Sequence, residues 1–301
     1  MALSLKNITK IYNGQKALDN ISFEINRGEI VGFLGPNGAG KTTTMKIISC
    51  FIPSTDGETR VCNIDVNKNP LEVKKIVGYL PENNPLYTEM YVKEFLLFIA
   101  DVHGIKNKKE RVQQMINLVG LEKEQHKKIE MLSKGYKQRI GMAQAMMHNP
   151  DVLILDEPTS GLDPNQLVEI RKLIKEFGKE KTVLLSTHIM QEVEAICDRV
   201  IIIKEGKIVA DEGVDTIQKT NQTVQVIQVE FDKEVLEKKL KAINEVSRIK
   251  NIGANSWLIE SKSKNDLRAS IAKFANEEGL LTLTLKKEED KLEDIFKKLT
   301  K

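Results

Sequence analysis

The chain has 301 residues, of which 46 are Lys or Arg and 43 are Asp or Glu, and its formal net charge is +3. Strong non-specific nucleic-acid binding needs a clustered excess of cations, so this balance argues against it and we expect no nucleic-acid partner. Hydrophobic residues make up 41% of the sequence, enough for a large core. Because the length exceeds that of a usual single domain, we expect two domains.

Three other classes of protein do not fit the sequence. The longest apolar runs, such as 95–100 and 200–203, fall far short of the roughly 20 residues that cross a bilayer. The first ten residues lack the apolar core of a secretory signal, so we expect a protein that is not secreted. Cys50, Cys62 and Cys197 are widely spaced without a Cys-x-x-Cys pair, which predicts inert thiols and neither disulfides nor a zinc site.

Residues 1–214 alternate between predicted strands and helices, which indicates an α/β layer fold. The short apolar runs at 152–155, 183–186 and 200–203 are typical of strands buried on both faces of a parallel sheet. A helical subdomain is predicted at about 79–148. In chain order, strands are predicted within 3–12 and 21–34, with the strand at 30–34 leading to Gly35, and at 76–80, 152–155, 183–186 and 200–203. The predicted helices are 43–51 (with Met45, Ile48 and Phe51 on one face), 92–103, 109–119, 164–177 and 190–197.

The composition becomes more polar from about residue 215, and residues 215–301 are predicted to form a small α+β domain. The order β-α-β-β-α-β predicts a ferredoxin-like fold there. The predicted elements are strand 223–231, helix 233–243, strands 246–252 and 256–260, helix 265–277, strand 280–285 and a final amphipathic helix, 291–299.

A glycine-rich segment between a predicted strand and a predicted helix fits the phosphate-loop pattern G-x-x-x-x-G-K-[ST] in full. It consists of Gly35, Pro36, Asn37, Gly38, Ala39, Gly40, Lys41 and Thr42. Glycines let backbone N–H groups surround phosphates, Lys41 can reach the β- and γ-phosphates, and the Thr42 hydroxyl can ligate Mg²⁺. Thr43 can add a phosphate contact. A plain turn between strand and helix would explain the glycines but not the adjacent Lys and Thr.

Two acidic residues, Asp156 and Glu157, follow the buried strand 152–155. Taken alone they could cap a helix or face solvent. Beside a phosphate loop, Asp156 is predicted to hold Mg²⁺ through a water, and Glu157 is the candidate base that polarises the attacking water.

Residues 132–139 have the sequence Leu-Ser-Lys-Gly-Tyr-Lys-Gln-Arg. Ser133 is a favoured N-cap residue, so on its own this segment would be an ordinary helix start in which Gly135 is incidental. Together with the phosphate loop and the acidic pair, however, this segment resembles the signature motif of the ABC ATPases, usually written LSGGQ. The resemblance covers roughly residues 3–213 and implies a mixed-sheet ATPase core that binds ATP and Mg²⁺.

The resemblance implies roles for further residues. Tyr12 corresponds to the aromatic residue that stacks on adenine, although strands also favour aromatic residues for packing. Asp163 corresponds to the loop between the two ATP sites, although Ser-Gly-x-Asp-Pro alone would be a turn before a helix. His188 corresponds to the switch histidine at the γ-phosphate, although a lone histidine is more often structural. Ser133 and Gly135 would close the ATP site of a second copy, which implies a head-to-tail homodimer.

Two departures from the family pattern are visible. Glu82 replaces the family's glutamine and is expected to reach Mg²⁺ or the lytic water, and Lys134 and Tyr136 replace Gly and Gln in the signature. These variants occur in the ATPases of ABC-2-type exporters, whose Leu-Glu-x-x-Phe tail resembles residues 292–296. Within that branch, residues 78–94 are most similar to the gliding-motility-associated ABC ATPases.

The resemblance implies an ATPase subunit that powers export through a separate membrane permease and lies in the cytoplasm, at the inner face of the membrane. The aromatic residues of the insert, Tyr87, Tyr91 and Phe95, either receive a helix of that permease or pack internally. A soluble ABC ATPase acting on ribosomes or DNA is the alternative, but the chain has neither a second ATPase module nor long coiled coils. A P-loop kinase or GTPase would leave residues 132–139 without a role.

Overall fold

The computed structural model describes residues 1–220, 225–261, 263, 265–288 and 296. Its contacts divide the chain into two compact units, Met1–Val214 and Asp215–Leu299. Within the described residues, every helix is too short or too polar to traverse a bilayer. The predicted helix 291–299 lies outside the described residues except for Phe296, as do the first two residues of the predicted strand 223–231.

The strands of the first unit form two sheets. The smaller sheet is antiparallel, with the order β2-β1-β4-β5, and the larger has the order β10-β9-β3-β8-β7-β6. Strands β9, β3, β8, β7 and β6 run parallel to one another, and the edge strand β10 pairs antiparallel with β9. The strands are β1 Leu3–Tyr12, β2 Gln15–Ile25, β3 Ile30–Leu34, β4 Asp56–Val61, β5 Ile64–Asp65, β6 Val77–Leu80, β7 Val152–Asp156, β8 Thr182–Thr187, β9 Arg199–Lys204 and β10 Lys207–Gly213.

The central strands β3, β7 and β8 are buried along their whole length, as expected for apolar runs covered on both faces. The α/β prediction is therefore confirmed. Strands β4, β5 and β10 have no predicted counterpart, because their residues are mostly polar and they form by pairing with β1, β4 and β9.

Some helices of the first unit pack on the parallel sheet, and others form a helical layer that follows β6 in the sequence. They are α1 Lys41–Ile48, α2 Pro70–Ile76, α3 Val92–Val102, α4 Lys108–Leu118, α5 Lys134–Met146, α6 Pro164–Gly178 and α7 Met190–Ile196, with a 3₁₀ turn at Ile129–Met131. Helix α8, Val214–Thr220, belongs to the second unit except for its first residue. Helix α1 ends earlier than predicted, because Cys50 has a left-handed backbone, φ 58°. Phe51 consequently lies outside the helix and is 65% exposed, whereas Met45 and Ile48 are fully buried, so the prediction that all three share one helix face is wrong for Phe51.

The second unit has a four-stranded antiparallel sheet with the order β12-β13-β11-β14. This is the strand order of a ferredoxin-like fold, as predicted. Alternate residues of β11, namely Ile227, Val229 and Phe231, are fully buried in its core. The elements are β11 Gln225–Phe231, α9 Glu237–Lys241, β12 Val246–Asn251, β13 Ser256–Ser261, α10 Leu267–Glu277 and β14 Thr282–Glu288. Helix α9 begins later than the predicted 233 because Leu236 is extended.

Candidate nucleotide-binding and active site

The predicted site residues lie where parallel strands end. The phosphate loop follows β3, Glu82 follows β6, Glu157 follows β7 and His188 follows β8. Parallel strands place their carboxyl ends at one edge of the sheet, and open α/β sheets bind ligands at that edge. The topology therefore gathers side chains that are up to about 150 positions apart in the sequence.

The phosphate loop requires glycine at two positions for different reasons. A Cβ on Gly35 would lie 2.4 Å from the carbonyl oxygen of Ile203, so the close approach of the neighbouring strand excludes a side chain. Gly40, which precedes α1, has φ 112°, a conformation that residues with a Cβ rarely adopt. These two glycines hold the loop at the amino end of α1, where backbone N–H groups favour phosphate.

The Lys41 side chain is 7% exposed and lies along the loop. Its Nζ donates to the carbonyl oxygens of Gly35, at 2.7 Å, and Pro36, at 3.3 Å, and lies 3.6 Å from Oε1 of Glu157. The carbonyl oxygens and the carboxylate compensate the buried ammonium charge, as a buried cation requires. Phosphate oxygens can replace these acceptors, so the lysine is positioned for an anionic ligand.

Ser186 connects the two acidic residues at the end of β7. Its hydroxyl donates to Oδ1 of Asp156 at 2.6 Å and accepts from the backbone N–H of Glu157 at 2.9 Å. Asp156 is 1% exposed, and its other oxygen, Oδ2, is buried without a hydrogen-bond partner in the described part of the chain. A buried carboxylate oxygen without a donor is costly. It is a suitable acceptor for a cation or for a water held by one.

Glu157 and His188 form a pair at the open side of the site. The Nδ1 atom of His188 lies 2.9 Å from Oε2 of Glu157, while the opposite carboxylate oxygen faces Lys41. Glu157 is 8% exposed, whereas about half of the His188 side chain is accessible. The carboxylate is therefore held between a lysine and a histidine, a geometry that can orient it toward a water molecule and a phosphate.

A cavity of about 450 Å³ lies between these elements. Nine of the predicted residues line it, namely Asn37, Gly38, Gly40, Lys41, Thr42, Thr43, Glu82, Glu157 and His188. Gly35, Pro36 and Ala39 belong to the loop but do not line the cavity, and neither does the buried Asp156. Its lining holds the hydroxyl, carboxylate and ammonium groups that a magnesium-bound triphosphate needs, so the residues present fit that ligand.

Besides Gly35, Pro36, Ala39 and Asp156, four further predicted residues lie outside this cavity lining. Tyr12, at the end of β1, is 44% exposed, and Nζ of Lys10 lies 5.1 Å from the centre of its ring. Ser133 and Asp163 are the N-cap residues of α5 and α6, and each side chain accepts a backbone hydrogen bond from its own helix. Gly135 packs against Gln166, where a Cβ would come within 2.5 Å of the side chain. The last three residues thus do not contribute to the cavity of their own chain.

Several residues at the site were not among the predicted site residues. Ala17 and Ser160 line the cavity, and Ser186 holds the acidic pair. Tyr79, on β6, is also close to this region. Burial raises the pKa of its hydroxyl, and the nearby carboxylates of Asp156 and Glu82 raise this pKa further. The position of Ser186 at the end of a buried strand is the one signal in the sequence that could have identified it.

A phosphate loop after a parallel strand, with carboxylates after the neighbouring strands, defines a P-loop nucleotide-binding protein. Residues 18–160 match the family described as ABC transporter. The bacitracin transport ATP-binding protein of Bacillus licheniformis is 35% identical over 296 residues, which cover 97% of this chain and 95% of the relative. The chain therefore belongs to the family of ABC transporter ATP-binding proteins.

Other comparisons agree with this assignment. The linearmycin resistance ATP-binding protein of Bacillus subtilis is 38% identical over 213 residues, 69% of this chain and 68% of the relative. A bacterial ABC transporter cassette solved as a dimer has a TM-score of 0.65 and 28% identity, covering 70% of this chain and 98% of the cassette. The same cassette has been solved in a post-hydrolysis state with ADP and Pi. Like these cassettes, the chain is an ATPase whose cofactors are ATP and Mg²⁺.

Proposed function

We propose that the chain hydrolyses ATP as one half of a head-to-tail homodimer and thereby powers export through a separate membrane permease. The observation that carries the hydrolytic part is the convergence of Lys41, Glu157 and His188 at one cavity, with contacts of 2.9 to 3.6 Å. In this proposal Met1–Val214 is the ATPase domain, and the second unit is a separate ferredoxin-like domain.

We assign each residue a role that its environment supports. Glu157 accepts the proton of the attacking water, His188 orients Glu157 and contacts the γ-phosphate, and Lys41 binds phosphate oxygens. Thr42, Glu82 and Asp156 would hold Mg²⁺, which when bound offsets the negative charge that develops on the phosphate. Tyr12 stacks on the adenine from the exposed end of β1.

The predicted residues that do not line the cavity of their own chain support the homodimer. Ser133 and Gly135 lie at the amino end of α5, and Asp163 lies at the amino end of α6. Ser133 is exposed at its helix start, where a hydroxyl and backbone N–H groups are suited to bind phosphate from a second copy, whereas Gly135 is buried beside Gln166. The dimeric cassette at 28% identity supports this arrangement.

The permease is the remaining partner. Phe95 is 2% exposed and belongs to the core, but Tyr87, Tyr91 and Phe98 on the same insert are 56%, 49% and 41% exposed. We propose that these rings receive a helix of the permease, which places the ATPase at the inner face of the membrane. Exposed aromatic residues that cluster in this way are common at protein interfaces.

The relatives named for bacitracin transport and linearmycin resistance support an antibiotic as the exported compound. The likeness of residues 78–94 to gliding-motility ATPases remains a prediction of a narrower role. The alternative of an ATPase acting on ribosomes or DNA has no support among these relatives. Deletion of the gene separates the two export roles: lost antibiotic tolerance with normal gliding supports the first, and lost gliding with normal tolerance supports the second.

Glu157→Gln tests the hydrolytic and dimeric parts together. We expect the variant to bind Mg²⁺-ATP with unchanged affinity, to lose about 10²–10⁴ in kcat, and to sediment as a dimer with ATP but as a monomer without it. An unchanged kcat would remove Glu157 from its role, and monomers at saturating ATP would contradict the closed dimer. Affinity capture from detergent extracts that yields no polytopic membrane protein would contradict the permease.

A further inference from the structure

The backbone at Glu157 is strained. Its φ is 50°, in the left-handed region that residues with a Cβ seldom occupy. Such a conformation costs free energy and persists only where the surrounding contacts impose it. The direction of the Glu157 carboxylate therefore depends on the groups that hold this turn.

Three hydrogen bonds hold it. The N–H of Glu157 donates to Ser186 Oγ at 2.9 Å, and the carbonyl oxygen of Glu157 accepts from the N–H of Ser160 at 3.2 Å. The third bond comes from a different element: Nε2 of Gln138 donates to the carbonyl oxygen of Pro158 at 2.8 Å. Because proline has no N–H, this carbonyl is the one backbone hydrogen-bonding group at position 158.

Gln138 is well placed to fix the turn. It lies on α5, is 8% exposed, and its hydrogen bond to Pro158 is buried. The same end of α5 packs along the residues that follow Glu157. Lys134 Nζ lies 2.4 Å from the position of a Cβ on Gly161, and the Gly135 backbone leaves no room for a Cβ beside Gln166.

We infer that Gln138 is a positioning residue for Glu157: its amide holds the Pro158 carbonyl and so keeps the neighbouring carboxylate between Lys41 and His188. This inference rests on the proposed role of Glu157 as the base.

The test uses the purified full-length protein with Mg²⁺-ATP. Gln138→Met keeps the length of the side chain but removes the donor, and Gln138→Glu keeps the shape but places an oxygen against the carbonyl. Gln144→Met is the matched control, because Gln144 lies on the same helix and, within the described residues, its side chain makes no hydrogen bond to the Pro158 carbonyl. For each variant, kcat, the dissociation constant of ATP and the melting temperature are measured, alone and combined with Glu157→Gln.

We expect kcat of Gln138→Met to fall about tenfold, the effect of one lost hydrogen bond, while the ATP dissociation constant stays within about twofold. Gln138→Glu should lose at least as much. Combined with Glu157→Gln, neither substitution should lower kcat further, because the group that Gln138 positions has already been removed. A merely structural role would instead lower kcat by the same factor in both backgrounds.

Two results would overturn this inference and leave the proposed role of Glu157 intact, provided that Glu157→Gln has a reduced kcat. The first is a kcat of both Gln138 variants equal to that of Gln144→Met. The second is a kcat of the double variants that is lower than that of Glu157→Gln by the same factor as in the single variants. If Glu157→Gln itself turns over normally, the proposed role of Glu157 fails and the inference fails with it. If Gln138→Met does not fold, Gln138→Glu provides the same comparison.

Discussion

Replacement of Ser186 by Ala gives the sharpest test of how the acidic pair is held. The hydroxyl is fully buried and serves two groups, Asp156 Oδ1 and the N–H of Glu157. Alanine fits the space but provides neither a donor nor an acceptor. In Ser186→Ala, both oxygens of the buried Asp156 carboxylate and the N–H of Glu157 would then lack a partner within the described residues.

The size of the effect follows from these contacts. A hydrogen bond to a charged group contributes about 1.5–3 kcal/mol, and a buried donor left unpaired costs about 1–3 kcal/mol. Because one hydroxyl makes both bonds, we expect a total loss of about 3 kcal/mol in the free energy of unfolding of the first unit. For a unit of this size, about 2–4 °C is lost per kcal/mol, so the melting temperature should fall by about 6–12 °C.

Differential scanning calorimetry measures this change, and Ser49→Ala is its control. Ser49 is also buried, and its hydroxyl donates to the carbonyl oxygen of Met45 at 2.7 Å, but that oxygen also accepts from the Ser49 N–H. Ser49→Ala leaves no buried group unpaired and should cost about 1 kcal/mol or less. Equal melting temperatures for Ser186→Ala and Ser49→Ala would refute the argument that Ser186 supports the carboxylates.

Three other substitutions test separate parts of the site and the fold. Gly35→Ala should abolish ATP binding in titration calorimetry, because the new Cβ would lie 2.4 Å from the Ile203 carbonyl oxygen and displace the phosphate loop; binding at the normal affinity would contradict this. His188→Ala should lower kcat by roughly 10²-fold with little change in the ATP dissociation constant, and a large loss of affinity would point to a structural histidine. Burial, with a further contribution from His103, lowers the pKa of His148 to about 4 in the folded protein. The folded state therefore favours neutral His148, so stability is retained above pH 6.5 and falls as the pH drops toward 4, by up to about 3 kcal/mol. Urea denaturation of His148→Gln should show a smaller loss over that range, and an identical pH dependence would contradict the assignment.

The elements that the sequence predicted well have a strong local pattern. Strand β3, the phosphate loop and α1 form one continuous segment, and β7 and β8 are short apolar runs that only a covered strand explains. Strand β4 was not predicted, because its residues, Asp-Gly-Glu-Thr-Arg-Val, have no clear alternation and become a strand by pairing with β1. The early end of α1 and the late start of α9 depend on single backbone conformations at Cys50 and Leu236.

The chemistry of the site was readable from two short segments. The phosphate-loop pattern around Lys41 and Thr42 implied phosphate binding, and the presence of that loop gave Asp156 and Glu157 their predicted roles as metal ligand and base. Only the tertiary structure determined which side chains hold the acidic residues and their turn in place. Ser186 reaches Asp156 across 30 positions, and Gln138 reaches Pro158 across 20, because neighbouring strands and a packed helix bring them together. No local pattern encodes such contacts, since a serine at a strand end or a glutamine on a helix acquires its partner only when the sheet has assembled.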